Sequence, residues 1–379
     1  MHAGSQLNPA EGVMLSGLWV ASTGRLVAIV HHLAIDGVSW RILLEDLNFG
    51  WSQHRAGQRV VLPEVGTPFA RWASLLVEHA YRTHVVAEAD TWRQIAAMPP
   101  ALPAVCPESD TQTTAGNLSV FLDIATTRML LGEVPTAFHA GVHEILLIAF
   151  AMAMTEFLGT GATPICIDVE GHGRDEDLAA DVDLSRTVGW FTAKYPVTLE
   201  VGELNWAQVV AGDTKLGAVI KAAKEYLRAL PDGLNYGVLR YLNSEVDLDG
   251  PDPVIGFNYL GRQGATTAET SGDSWQICWD GLAHISPGVR PPIPLTHTLM
   301  LNAGTIDTDF GPVLGGAWMW APSALNQAQV NRLSQLWFEA LAGICAHVES
   351  GGGGLTPSDI AAGLTQEQID ELQRQYADS

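Results

Sequence analysis

Residues 26–47 read LVAIVHHLAIDGVSWRILLEDL, and the rest of the chain is organised around them. LVAIV is the β-branched, apolar run of a buried strand, and RILLEDL has the spacing of a helix. Between them Asp36 and Gly37 predict a tight strand-to-helix turn, with Asp36 placed to accept backbone N–H groups at the helix start. Successive strand side chains point to opposite faces, so His31 and His32 cannot both enter one cavity. Imidazole changes charge closest to neutrality, so a histidine held at a strand end suits a general base. The competing reading is two histidines that cap a strand by bonding nearby carbonyls. Adjacent histidines diverge and no further ligand falls at metal spacing around them, so no metal is expected.

Outward from this stretch, Gly17 to Val20 and Arg25 to Val30 read as two strands joined at Ser22-Thr23-Gly24. Phe69 to Tyr81 and Glu88 to Ala97 have helical spacing, and residues 98–110, MPPALPAVCPESD, are Pro-rich and irregular. A lobe boundary is placed there. Asn117 to Ile124 reads as a strand, and the apolar run Ile145 to Met154 as a buried helix too short to span a bilayer. Ile165 to Val169 is a second buried strand, ending at Glu170 and a Gly171-His172-Gly173-Arg174 turn. Ser185 to Glu200 reads as a strand, and Lys215 to Leu230 as a helix stopped by Pro231-Asp232-Gly233. Asp252 to Arg262 is a further strand carrying Asn258 and Tyr259, whose donors either enter a cavity or tie down a loop. Thr296 to Ala303 and Gly315 to Trp320 read as paired strands, and Val330 to Val348 carries one apolar helical stripe. Ser350 to Gly354 reads as a glycine hinge, followed by a docked tail whose helix is capped by Thr365 with Glu367 or Gln368.

The 379 residues allow two lobes. Twenty Lys and Arg against 42 Asp and Glu give a formal charge of −22, which disfavours nucleic acid and anionic membranes as partners. Cys106, Cys166, Cys278 and Cys345 form no C-x-x-C pair, which fits reduced thiols and a cytoplasmic location. There is no Walker loop, dinucleotide fingerprint, HExxH or Ser nucleophile elbow, so those chemistries lack their carriers.

Taken in order, these motifs resemble the epimerization domains of nonribosomal peptide synthetases, relatives of the condensation domains. HHLAIDGVSW fits the family's His motif, and Glu144 to Ala151 fits the apolar-helix motif more loosely, with Glu144 for the usual Asp. EGHGRD fits the glutamate motif with Asp175 for the usual Glu, while RTVGWFTAKYPV and FNYLGR fit the later ones. PDGLNYG carries Asn235 where the family has Gly, and Asn tolerates the left-handed backbone expected of that turn.

The resemblance implies an α/β fold of two chloramphenicol-acetyltransferase-like lobes with a mixed sheet in each. Residues 1–112 would be the first lobe, 113–349 the second, and 350–379 the hinge and tail. The family's His motif is preceded by a PIQxWF motif and further elements that do not precede it here. The expectation is therefore an incomplete first lobe, with an open sheet edge and poor epimerization by the chain as it stands. Activity would be inversion of the α-carbon of an aminoacyl or peptidyl thioester, carried on the phosphopantetheine arm of a carrier protein. His32 and Glu170 correspond to the family's two acid/base groups. His31, Asp36, Gly37, Asn258 and Tyr259 would support them, with Asn258 and Tyr259 aimed at the enolate oxygen and the basic partner of Asp36 supplied from the absent segment. No cofactor would be bound by the domain itself, and its partners would be the carrier protein and neighbouring synthetase domains. Three other readings stay open at this point. They are a peptide-bond-forming condensation domain, a simple acyltransferase of the same superfamily, and an inactive carrier-protein-binding remnant.

Overall fold

The strand pair expected at the start of the chain forms a hairpin, in which β1 (Leu15–Val20) and β2 (Arg25–Val30) pair antiparallel with Leu15 opposite Val30. The computed structural model describes residues 6–202, 204–263, 274–275, 293–360 and 363–377. Cys278 lies outside these residues, and Cys106, Cys166 and Cys345 are free thiols. β2 ends at Val30, so the two histidines are not on the strand. His32–Ala34 make a single 3₁₀ turn instead, and α1 (Gly37–Arg55) follows, capped by Asp36 as its sequence predicts.

Three helices come next, α2 (Phe69–His79), α3 (Thr83–Val86) and α4 (Ala89–Ala96). Beyond the irregular stretch the chain forms β3 (Gly116–Phe121), α5 (Ile124–Leu131), α6 (Glu133–Phe138) and α7 (Val142–Leu158). β4 (Ile165–Gly171), β5 (Ala193–Leu199), α8 (Trp206–Val210), α9 (Thr214–Ala229) and α10 (Gly233–Leu242) lead to β6 (Ile255–Gln263). The last elements are β7 (Leu299–Thr308), β8 (Gly311–Trp320), α11 (Gln327–Glu349) and α12 (Gln366–Ala377).

Six strands form one mixed sheet in the order β3-β8-β7-β6-β4-β5, with β6 parallel to both β7 and β4 and the other pairs antiparallel. The mixed sheet expected of the second lobe is therefore found, while the first lobe's sheet among the described residues is the antiparallel hairpin alone. α7 and α11 cover one face of the large sheet. Every residue from Ile145 to Met154 is buried there, and Trp337 of α11 is packed against Trp318 of β8. Burying so long an apolar run inside protein accounts for its composition without a membrane. No single helix among the described residues is long and apolar enough to cross one.

The other face decides where the site lies. Strand alternation sends Ile167 and Val169 into the helical core and turns Asp168 and Glu170 the opposite way. α10 and α4 pack against β5 on that side, through Trp92, Tyr236 and Tyr195. Trp72 of α2 joins Leu178, Leu184, Phe191 and Leu234 in a second cluster. α2, α3 and α4, which precede residue 98, thus bury their apolar faces on residues beyond it.

Three local expectations are corrected. Only Ala193–Leu199 of the stretch 185–200 is a strand, because the N–H groups of Gly189 and Phe191 bond side chains of α1's first turn and leave the ladder. Asn235 does not sit in a left-handed turn. Asp232 caps α10 and Asn235 lies inside that helix, buried, accepting from His79 Nε2 at 2.7 Å and donating to Glu88 at 2.9 Å. Residues 350–354 pack as a strap, with Gly354 N donating to Ala137 O at 2.8 Å. Beyond it Asp359 accepts from the buried Lys224 at 2.6 Å and from Arg228 at 2.7 Å, which fixes the tail on α9.

Candidate active site

Asp36 ties the first motif to the later ones. Its Oδ1 accepts from Ser39 N and Ser39 Oγ at 2.7 Å each, as an N-cap carboxylate does. Across the fold, Arg174 Nη2 donates to both carboxylate oxygens at 3.1 Å. The expectation that the partner of Asp36 comes from an absent segment is therefore wrong. The partner is the arginine of the EGHGRD motif, 138 residues away in sequence.

Arg174 is itself held. Its Nη1 donates to Leu184 O at 2.9 Å and to Thr187 O at 2.8 Å, and its guanidinium lies 4.1 Å from the centre of the Phe191 ring. Gly173 makes this turn possible, since its φ is 61° and a Cβ there would lie 1.8 Å from Phe191 O. Ser39 Oγ, whose proton goes to Asp36, accepts from Gly189 N at 3.1 Å, so the RTVGWF loop closes the network. Asp36 and Ser39 are buried within it. Three motifs, the first of them remote in sequence from the other two, therefore meet in one set of bonds.

His32 precedes Asp36 by four residues, and Glu170 precedes Arg174 by four. The Asp36–Arg174 pair thus ties together the two segments that carry the candidate acid/base groups, and the charge of His32 is felt at Glu170. His32 is exposed, with its ring 4.5 Å from that of Trp190. His31 instead turns its Nδ1 back to accept from Leu33 N at 3.2 Å, which holds the 3₁₀ turn. Gly37 opens α1 with nothing close to where a side chain would be.

Glu170 sits at the end of β4, directly across from Lys194 on β5 and Asn258 on β6. Asn258 Nδ2 donates to Glu170 Oε2 at 2.7 Å. Lys194 does not bond it, because its ammonium is committed to Asp168 at 3.0 Å and Asp252 at 2.7 Å. Burial pushes the Glu170 carboxyl above the ordinary carboxylate range and the charge of Asp168 adds to this, while positive charge on His297, Lys194 and His32 acts against it. A carboxyl so placed takes and returns a proton nearer neutrality than an exposed one.

Tyr259 does not join these groups. Strand alternation sends it to the face opposite Asn258, where its hydroxyl lies 3.3 Å from Thr305 Oγ1. Asn258 faces the site, but its amide holds the carboxylate. Sequence reasoning missed His297, whose Nε2 bonds Asp168 at 2.8 Å. It belongs to no recognised motif, and its only sequence signal is Gly256, where a Cβ would lie 3.1 Å from the His297 ring. Among the described residues no cluster of His, Cys, Asp and Glu is arranged to hold a metal ion.

Comparison with known proteins agrees with this assembly of motifs. A family model described as the condensation domain matches residues 19–275. The chain is 35% identical over 360 residues to a linear gramicidin synthase protein of Brevibacillus parabrevis, covering 92% of this chain and 7% of that protein. It is 34% identical over 371 residues to chondramide synthase of Chondromyces crocatus, covering 96% of this chain and 9% of that one. The chain thus spans less than a tenth of the length of these relatives. Among solved structures, the epimerization domain from the third module of tyrocidine synthetase B is similar with a TM-score of 0.75 and 28% identity, over 91% of this chain and 75% of that one. The X-domain from teicoplanin biosynthesis shares the fold, with a TM-score of 0.56 and 20% identity over 86% of this chain and 70% of that one.

Proposed function

The chain belongs to the condensation-domain family, and we propose that within it the protein is an epimerization domain. The substrate would be an aminoacyl or peptidyl thioester on the phosphopantetheine arm of a carrier protein, with neighbouring synthetase domains as partners. The observation that carries this reading is the half-buried Glu170, held by Asn258 within reach of the charge of His32. Acyl transfer is served by one base, whereas two groups on opposite sides of a carbon serve its inversion most directly. The likeness to the tyrocidine synthetase epimerization domain supports the same choice.

In this mechanism one of the two groups takes the α-proton as the C–H bond breaks. The electron pair moves into the thioester carbonyl, giving an enolate. The other group, in its acid form, delivers a proton to the opposite face of the same carbon, and both then exchange protons with water. Asn258 positions the carboxylate, and Tyr259 takes no part.

A second reading, peptide-bond formation, is favoured by the family model itself, whose description is the condensation domain. Chiral analysis of a loaded carrier protein separates the two. Epimerization converts either enantiomer to the same mixture with no acceptor present. Product that forms only when an aminoacyl acceptor is added, with the α-carbon unchanged, removes the epimerase reading in favour of condensation.

A further inference from the structure

We propose that His297, held between Asp168 and Thr296 on the sheet face that carries Glu170, is a positioning residue whose charge favours the ionised form of Glu170 against its burial. The inference rests on the epimerase reading for its catalytic consequence, though not for its electrostatics. Asp168 lies two residues before Glu170 on the same face of β4, and its carboxylate is buried. It bonds His297 Nε2 at 2.8 Å and Lys194 Nζ at 3.0 Å. The other ring nitrogen, Nδ1, lies 3.0 Å from Thr296 Oγ1.

That second contact is what lets the ring change charge in place. A hydroxyl both donates and accepts. With the ring neutral, Nε2–H donates to Asp168 and Nδ1 accepts from the Thr296 hydroxyl. With the ring protonated, Nδ1–H donates to the same oxygen, and no bond is lost. A backbone carbonyl or amide at that position would instead favour one state. Gly256 keeps the space open, since a side chain there would collide with Met300 and crowd His297.

The charged groups that bear on Glu170 are Asp168 on β4, Lys194 on β5, His297 before β7 and His32 from the first lobe, with the neutral Asn258 amide from β6. Lys194 is fixed between Asp168 and Asp252, and Asp252 is in turn paired with Arg240 at 2.8 Å. Asp168 and Asp252 carry two negative charges against the two positive ones of Lys194 and Arg240, and the imidazoles of His297 and His32 are the remaining groups able to add positive charge near Glu170. A protonated His297 favours ionised Glu170. A neutral one lets Glu170 keep its proton to higher pH. The effect on the reaction is to keep Glu170 available as a base while the ring is charged.

The test is a ¹³C NMR titration of the Glu170 carboxyl in the whole protein, assigned with Glu170→Gln. In His297→Gln the midpoint should move up by about one pH unit. Thr296→Val keeps the shape of the side chain and removes the hydroxyl, so it should move the midpoint up by less than His297→Gln and serves if that variant does not fold. The acid limb of the pH profile for α-proton exchange should follow each shift, which a merely structural role of His297 would not produce. A Glu170 midpoint that stays put in His297→Gln, or in Thr296→Val where His297→Gln does not fold, overturns the proposal. Shifted midpoints in a protein without α-proton exchange uphold the coupling and remove the epimerase reading. Exchange with unmoved midpoints does the reverse.

Discussion

Replacing Glu170 by Gln lowers the rate of α-proton exchange on a carrier-bound aminoacyl thioester by about 10²- to 10⁴-fold, the usual cost of removing a positioned acid or base. Gln keeps the size of the side chain and can still bond Asn258, so the loss reports the missing proton site. His32→Ala falls in the same range. His31→Ala does not, because the His31 ring is spent on Leu33 N, and losing a turn bond of that kind costs about 1 kcal/mol of stability with little effect on chemistry. The double variant Glu170→Gln/His32→Ala is little worse than either single one, since groups that act as a unit are not additive. Deuterium uptake from solvent at the α-carbon, read by mass spectrometry, checks all four. Wild-type exchange in Glu170→Gln removes this residue from the chemistry.

Arg174→Met has the largest expected effect on stability. It leaves Asp36 buried without its cation and removes the Arg174 bonds to the carbonyls of Leu184 and Thr187, of which Leu184 O keeps the Thr187 N–H. Breaking a buried pair from one side costs about 3–5 kcal/mol. The loss should appear as a lower midpoint in chemical denaturation. Where the protein remains folded, exchange should also fall, because the pair sets the spacing of His32 and Glu170 and a shift of about 1 Å can cost roughly 10²-fold in rate. Arg174→Lys recovers little, because a single ammonium cannot reach both Asp36 and the two carbonyls. Arg186→Met is the control. Its partners Glu45 and Asp46 on α1 are more exposed, so it costs at most about 1 kcal/mol. If Arg174→Met is as stable and as active as wild type, the two lobes are not registered by this pair.

The parts of this arrangement that depend on local pattern were legible in the sequence. The hairpin, the Asp36 cap of α1, the buried run Ile145 to Met154 and the strand ending at Glu170 all follow from periodicity, capping chemistry and β-branched composition. The capping pair of the last helix does too, with Gln368 as the partner of Thr365. What depends on distant contacts was not legible. Nothing near Asp36 in sequence points to Arg174, and a missing partner was expected where a remote one exists. Residues 185–192 have strand composition, but side chains of α1's first turn take their N–H groups. Asn235 reads as a turn residue by itself, and only the approach of His79 and Glu88 explains why an amide lies buried in α10. The separation of Asn258 from Tyr259 was available from strand alternation alone, since adjacent residues on β6 cannot both face one cavity.

The central claim is that two groups, His32 and Glu170, handle the α-proton, and the isotope content of the first product formed tests it most directly. L-Aminoacyl carrier protein bearing α-protium is incubated in D₂O with the protein expressed from its own gene, and the D-enantiomer is trapped at the earliest turnovers. Two-group transfer predicts that this product carries solvent deuterium at the α-carbon while the recovered L-substrate is still largely protiated. Early D-product that retains the substrate's own hydrogen would contradict it, because a single group would then have carried the proton from one face to the other.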